Sequence, residues 1–189
     1  MNLPNKLTLI RIAMVPFFVA ALLIESMPQR FIWAMAIFII ASVTDVLDGN
    51  IARSRGLVTD FGKLMDPLAD KILVISAMIC FNSLGLMSAV VTIITVAREF
   101  LVTSLRLVAA TDGRVIAADK LGKAKTVTQD IAIPLIMFKS AAAELGAGAA
   151  ALTWLGFGCT ALVILMTVLT VWSGANYLWK NREVISDVK

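Results

Sequence analysis

The chain has 189 residues, of which 59% are hydrophobic and only 16% charged, and its mean hydropathy is +0.89. This lies far outside the composition of a soluble domain and points to a membrane protein, with a formal net charge of +4 at pH 7. The absence of histidine excludes imidazole as a base or metal ligand, and Cys80 and Cys159 lack the paired spacing of a zinc or redox motif.

Apolar runs near spanning length recur at 7–24, 31–47, 67–84, 87–110, 126–143 and 152–179. Since roughly 20 apolar residues cross a bilayer core as a helix, the expected fold is an all-α integral membrane bundle of six transmembrane helices. Too few residues remain for a separate soluble domain, so residues 1–189 form a single transmembrane domain in this reading.

Lys6 and Arg11 precede an apolar run, as the basic residues of a signal peptide would, but no clear small-residue cleavage site follows, so an uncleaved first helix is expected. Of the 17 Lys and Arg residues, only Arg30 and Lys139 fall at ends that an N-inside arrangement puts outside. The linker 82–88 is uncharged, and both termini are therefore expected to be cytoplasmic. Pro16 and Pro134 lie inside apolar runs and should kink their helices.

The cytoplasmic end of the second run and the start of the third hold an unusual concentration of charge. Asp45 and Asp48 are three residues apart and share a helix face; Asp66 and Asp70 are four apart and do the same. Pro67 directly follows Asp66, so the third helix either starts there with Asp66 as its N-cap or starts earlier and kinks. Four carboxylates at the edge of a low-dielectric region repel one another and are costly to desolvate. A positive partner is required, and an all-oxygen donor set suits Mg²⁺ or Mn²⁺. Two such ions would clamp the attacking and leaving oxygens of a displacement at phosphorus. Gly49 and Gly62 remove bulk where a substrate or second helix must approach, Ala52 keeps the same face open, and Arg53 offers a cation for phosphate oxygens. Asp60, Arg55, Lys63 and Lys71 read instead as solvated or interfacial charges.

Asp45, Asp48, Gly49, Ala52, Arg53, Gly62, Asp66 and Asp70 resemble, residue for residue and gap for gap, the signature of the CDP-alcohol phosphatidyltransferase family. That resemblance implies a membrane enzyme that moves a phosphatidyl group from a CDP-linked lipid to an alcohol and releases CMP. It further implies that Asp45, Asp48 and Asp66 hold metal. Asp70 would be the general base that also approaches the metals, and Gly49, Ala52 and Arg53 would line the CDP pocket. With no histidine available, a carboxylate is also the natural proton acceptor on chemical grounds.

The fourth run contains Arg98, Glu99 and Arg106, and the linker after it ends in Lys120, Lys123 and Lys125. Two arginines eight residues apart fall near one helix face, and arginines within a span face a partner or a wet cavity. A cationic pocket suits an acceptor that carries its own phosphate. The stretches AREFLVTSLR, GKAKTVTQ and LPNKLTLIR resemble the phosphatidylglycerophosphate synthase branch of the family, whose acceptor is glycerol 3-phosphate. Arg98, Arg106, Lys123 and, more weakly, Lys125 would then grip the acceptor phosphate, while Asn5 and Thr8 would assist CDP-diacylglycerol binding. Inositol phosphate, serine or phosphatidylglycerol are the alternative acceptors, and an ion or proton transporter is the alternative of a different class. The resemblance also implies a homodimer in the inner (cytoplasmic) membrane with its active site facing the cytoplasm, in contact with membrane lipids and without a nucleic-acid partner. Ser173, Gly174 and Ala175 are candidates for helix contacts.

Overall fold

The apolar runs fold as helices that continue past the apolar residues into the charged segments. A computed structural model describes residues 3–54, 59–111, 116 and 119–183. These hold six α-helices and, among the described residues, no strand: α1 Leu3–Leu23, α2 Arg30–Ser54, α3 Asp60–Ser83, α4 Ala89–Thr111, α5 Lys120–Glu144 and α6 Ala149–Lys180. The six-helix expectation is met in number.

The start of α3 decides between the two arrangements that Pro67 allows, in favour of the earlier start. Asp66 is not its N-cap: Thr59 is, with extended backbone (φ −114°, ψ 156°) and a side-chain oxygen that accepts from the Gly62 backbone N–H at 3.1 Å. This bond satisfies one of the donors that a helix N-terminus leaves unpaired. Pro67 therefore lies inside the helix, as do Pro16 in α1 and Pro134 in α5. Placing Pro67 eight residues in, rather than at the start, removes one intrahelical N–H but keeps Asp66 and Asp70 on one continuous helix face.

The chain divides into two compact units, Met1–Leu86 with Ile133–Leu155, and Met87–Ala132 with Gly156–Lys189. In the first, α1 packs against both α2 and α3, which touch one another only lightly. Phe18 of α1 meets Phe38 of α2 with ring centroids 6.0 Å apart, and Leu22, Leu73, Met78 and Phe81 fill the same unit's interior. In the second, Val102, Leu105 and Ala109 of α4 form a buried cluster with Tyr177 of α6.

The surface is the reverse of a soluble protein's. Phe17, Trp33, Ile79, Phe100, Ile131 and Trp172, one from each helix in turn, are all exposed, while Thr8, Arg11, Thr95, Lys125 and Gln129 are buried. Large outward apolar surfaces are stable when the surroundings are not water. Two helical stretches, Asn5–Leu23 and Ala149–Lys180, are by themselves long and apolar enough to cross a membrane.

Candidate active site

One face of α1 organises the carboxylates of the first unit. Asn5, Thr8 and Arg11 follow one another at three-residue intervals, a spacing that keeps side chains near a common helix face, and all three are buried. Thr8 Oγ1 donates to Asp66 Oδ1 at 2.5 Å. Thr59 Oγ1, while capping α3, donates to Asn5 Oδ1 at 3.0 Å. Arg11 forms an ion pair with Asp45, Nη1 to Oδ1, at 2.6 Å and donates from Nε to the Ala41 carbonyl at 3.1 Å. Through these contacts one face of α1 holds both Asp66 on α3 and Asp45 on α2.

Gly62 is required by the same packing. A Cβ there would lie 3.1 Å from Asn5 Oδ1, 3.3 Å from Thr59 Oγ1 and 3.7 Å from Asp66 Oδ2. Its lack of a side chain lets Asn5 reach the cap of α3, so Asn5, Thr8, Gly62 and Asp66 come together as one polar group. Asp70 is half-buried one turn beyond Asp66. Asp48, Gly49, Ala52 and Arg53 belong to the last turns of α2, and their side chains lie outside the described residues, as does Arg55.

Among the described residues, no three carboxylate, histidine or cysteine side chains form a group ready to hold a metal. The fit to a hard cation can still be judged from the donors that are described. Asp45 and Asp66 offer oxygen only, their interaction is repulsive when both are ionised, and the bonds from Arg11 and Thr8 each engage Oδ1. Such a donor set fits Mg²⁺ or Mn²⁺ and is unsuited to a soft metal.

The second unit holds a separate set of charges. Glu99 Oε1 accepts from Arg98 Nη1 at 3.0 Å and from Lys125 Nζ at 2.8 Å, so one carboxylate oxygen serves two cations. Lys125 is buried, whereas Lys123, two residues away and on a different face of α5, is exposed. Arg98 passes between two glycines: a Cβ at Gly122 would lie 3.1 Å from its Nη2, and one at Gly174 would lie 3.1 Å from its Cγ. Its Nε is buried and has no hydrogen-bond partner among the described residues. A buried, unpaired N–H on a guanidinium is costly and marks a place where an acceptor oxygen would be stabilised. Arg106 donates from Nε to Tyr177 Oη at 3.0 Å, with its guanidinium 5.4 Å from the ring centroid.

Arg98 and Lys125 are thus joined through Glu99, Arg106 is carried on Tyr177, and Lys123 stands outside that group. Sequence reasoning overlooked Arg11, which looked like an orientation signal, and gave Glu99 no role. The available clue to Arg11 was its three-residue step from Thr8, continuing the step from Asn5. Gly174, a candidate for helix contacts, makes one: it lets the Arg98 side chain of α4 pass close against α6.

The family profile described as CDP-alcohol phosphatidyltransferase matches residues 1–173. The chain is 41% identical to the CDP-diacylglycerol–glycerol-3-phosphate 3-phosphatidyltransferase of Bacillus subtilis, with 97% of each chain covered. It is 39% identical to the enzyme of the same name from Rickettsia bellii, over 74% of this chain and 76% of the relative. It is 44% identical to a probable phosphatidylglycerophosphate synthase of Mycobacterium tuberculosis, over 72% of this chain and 66% of the relative. With the signature aspartates of α2 and α3 inside a profile match that covers most of its length, the chain belongs to the CDP-alcohol phosphatidyltransferase family.

Proposed function

We propose that the chain transfers the phosphatidyl group of CDP-diacylglycerol to sn-glycerol 3-phosphate, giving phosphatidylglycerophosphate and CMP. Near-full-length similarity to a relative named for that reaction supports the proposal. The observation that carries the choice of acceptor is Arg98: a side chain 13% exposed, joined to buried Lys125 through Glu99, whose Nε is itself buried and lacks a partner among the described residues. Serine offers only a carboxylate beside its own ammonium, whereas a phosphate monoester offers a dianion that both cations can bind through charge-assisted hydrogen bonds; between the monoesters, the named relatives favour glycerol 3-phosphate over inositol phosphate.

In the proposed reaction Asp45, Asp48, Asp66 and Asp70 would hold Mg²⁺ or Mn²⁺, two ions in all. When bound, the divalent ions supply Lewis-acid stabilisation of charge on the reacting diphosphate. Arg53, with Gly49, Ala52 and Gly62, accommodates the CDP moiety, and Asn5 and Thr8 keep the donor end of α1 and α3 aligned. Arg98, Lys125 and Arg106 bind the acceptor's phosphate. Asp70 removes the proton from the acceptor's primary hydroxyl. The hydroxyl oxygen forms a bond to the phosphorus attached to diacylglycerol as the bond from that phosphorus to the oxygen of CMP breaks.

The six helices span the inner (cytoplasmic) membrane in this proposal, with both termini and the reaction centre on the cytoplasmic side and the enzyme acting as a homodimer. Outward apolar residues on every helix and the basic, alternating linkers support that placement. It brings a lipid donor and a water-soluble acceptor to the same interface.

Purified protein given CDP-diacylglycerol with each acceptor, with divalent ion removed by EDTA and then restored, tests the proposal. CMP release should require glycerol 3-phosphate and either Mg²⁺ or Mn²⁺. Release that is indifferent to glycerol 3-phosphate but supported by inositol phosphate, serine or phosphatidylglycerol would overturn the choice of acceptor. Gly174→Ala provides a sharper check, because its new methyl would sit 3.1 Å from Arg98 Cγ and displace that side chain. The expected result is a rise of about tenfold in KM for glycerol 3-phosphate, equivalent to about 1.4 kcal/mol of lost binding, with KM for the CDP-lipid unchanged.

A further inference from the structure

Arg11 has no part in the signature, yet its side chain is only 1% exposed and its guanidinium meets the carboxylate of Asp45 at 2.6 Å. A snorkelling arginine would reach water, and this one does not. Burying a permanent cation is expensive unless it is paired, and arginine cannot lose its proton to escape the cost. The guanidinium is held at two points, on Asp45 Oδ1 and on the Ala41 carbonyl one turn earlier in α2, which orients the side chain of Asp45. Thr8, three residues before Arg11 on the same face of α1, binds Asp66, so both carboxylates are drawn to one side of that helix. The carboxylate group therefore already contains one positive charge supplied by the chain itself.

We infer that Arg11 is a positioning residue and resident counter-cation for the aspartates: it holds Asp45 in place and offsets their mutual repulsion while no divalent ion is bound. If, as proposed above, Asp45 and its neighbours take divalent ions, the protein alternates between a state in which Arg11 offsets the carboxylates without the ions and one in which it does so together with them. Arg11 is then most important in the metal-free state. A residue that merely clips α1 to α2 through the Ala41 carbonyl would matter equally in both.

Thermal unfolding of the full chain in detergent micelles, in EDTA and in excess MnCl₂, separates these roles. Arg11→Gln should lower Tm more in EDTA than in Mn²⁺, enlarging the Mn²⁺-induced rise in Tm by about 4 °C or more relative to the unsubstituted protein. Arg11→Lys, which keeps the charge but not the two-point hold, should enlarge it less. Adding Arg11→Gln to Asp45→Asn should cost less Tm in EDTA than Arg11→Gln does alone, because the charge to be offset has gone. Equal losses in EDTA and in Mn²⁺ for both Arg11 variants would overturn the counter-cation role while leaving the metal site standing. A Tm of the unsubstituted protein that does not respond to Mn²⁺ or Mg²⁺ would overturn the metal site, and this inference with it. Should Arg11→Gln fail to fold in either condition, adding Asp45→Asn to it decides: recovery of folding in EDTA supports the inference, and continued failure rejects it.

Discussion

Asp70→Asn is expected to lower kcat by about 10²- to 10⁴-fold, the range associated with a positioned general base, while the affinity for CDP-diacylglycerol stays within about twofold. The chain has no histidine, and its one tyrosine, Tyr177, is buried with its hydroxyl engaged by Arg106. A carboxylate is the remaining group that can take a proton near neutral pH without first losing a favourable charge. Asp70 is half-buried on α3, one turn after Asp66, so it shares the face that carries the proposed metal ligand. Asparagine preserves its volume and most of its hydrogen bonding but cannot accept the proton. Single-turnover CMP release, measured beside equilibrium binding of the CDP-lipid, checks both halves. Normal turnover would remove Asp70 from the base role, and a parallel collapse of lipid binding would move it into the donor site.

Much of this architecture is legible in the sequence because apolar length and charge placement are strong signals in a membrane protein. The run 31–47 correctly announces a helix, but α2 extends from Arg30 to Ser54 because its last turns consist of the signature itself, which is polar for chemical reasons and not because the helix has ended. The sequence leaves the start of α3 open between Asp66 and an earlier residue, because Pro67 suits either a first turn or a kink and nothing local singles out Thr59. A proline in mid-helix is tolerable, whereas a threonine that caps one helix and also binds Asn5 of another has a tertiary reason to be there. Arg11 and Lys125 were harder still. In sequence each looks like any basic residue at a membrane edge; only the phase of its helix shows that it faces a carboxylate instead of water. Lys123 and Lys125 differ by two positions, and that half-turn is what buries one and exposes the other. The contributions of Asp48, Gly49, Ala52 and Arg53 rest on their place in the signature, since their side chains lie outside the described residues.

Glu99→Gln should destabilise the protein by about 3 kcal/mol, the lower end of what removing one partner from a buried ion pair costs. Converted at about 2 to 4 °C per kcal/mol for a chain of this size, the expected fall in Tm is roughly 6 to 12 °C. Glu99 Oε1 receives both Arg98 Nη1 and Lys125 Nζ, and Lys125 is buried, so neutralising the acid leaves two neighbouring cations without their common anion. Glutamine fits the same space and can still accept a hydrogen bond, which makes the missing charge the main change. An acceptor phosphate bound by these cations would restore the balance that Glu99 supplies in its absence. Glycerol 3-phosphate should therefore raise the Tm of Glu99→Gln more than it raises that of the unsubstituted protein, and glycerol should raise neither. If Glu99 only decorated a wet surface, the substitution would leave Tm within about 1 °C, as expected for an exposed pair. If it anchored Arg98 and Lys125 purely for packing, Tm would fall but glycerol 3-phosphate would recover none of the loss. The combination of a large fall and a phosphate-dependent recovery is what a cationic acceptor site built around one internal carboxylate requires.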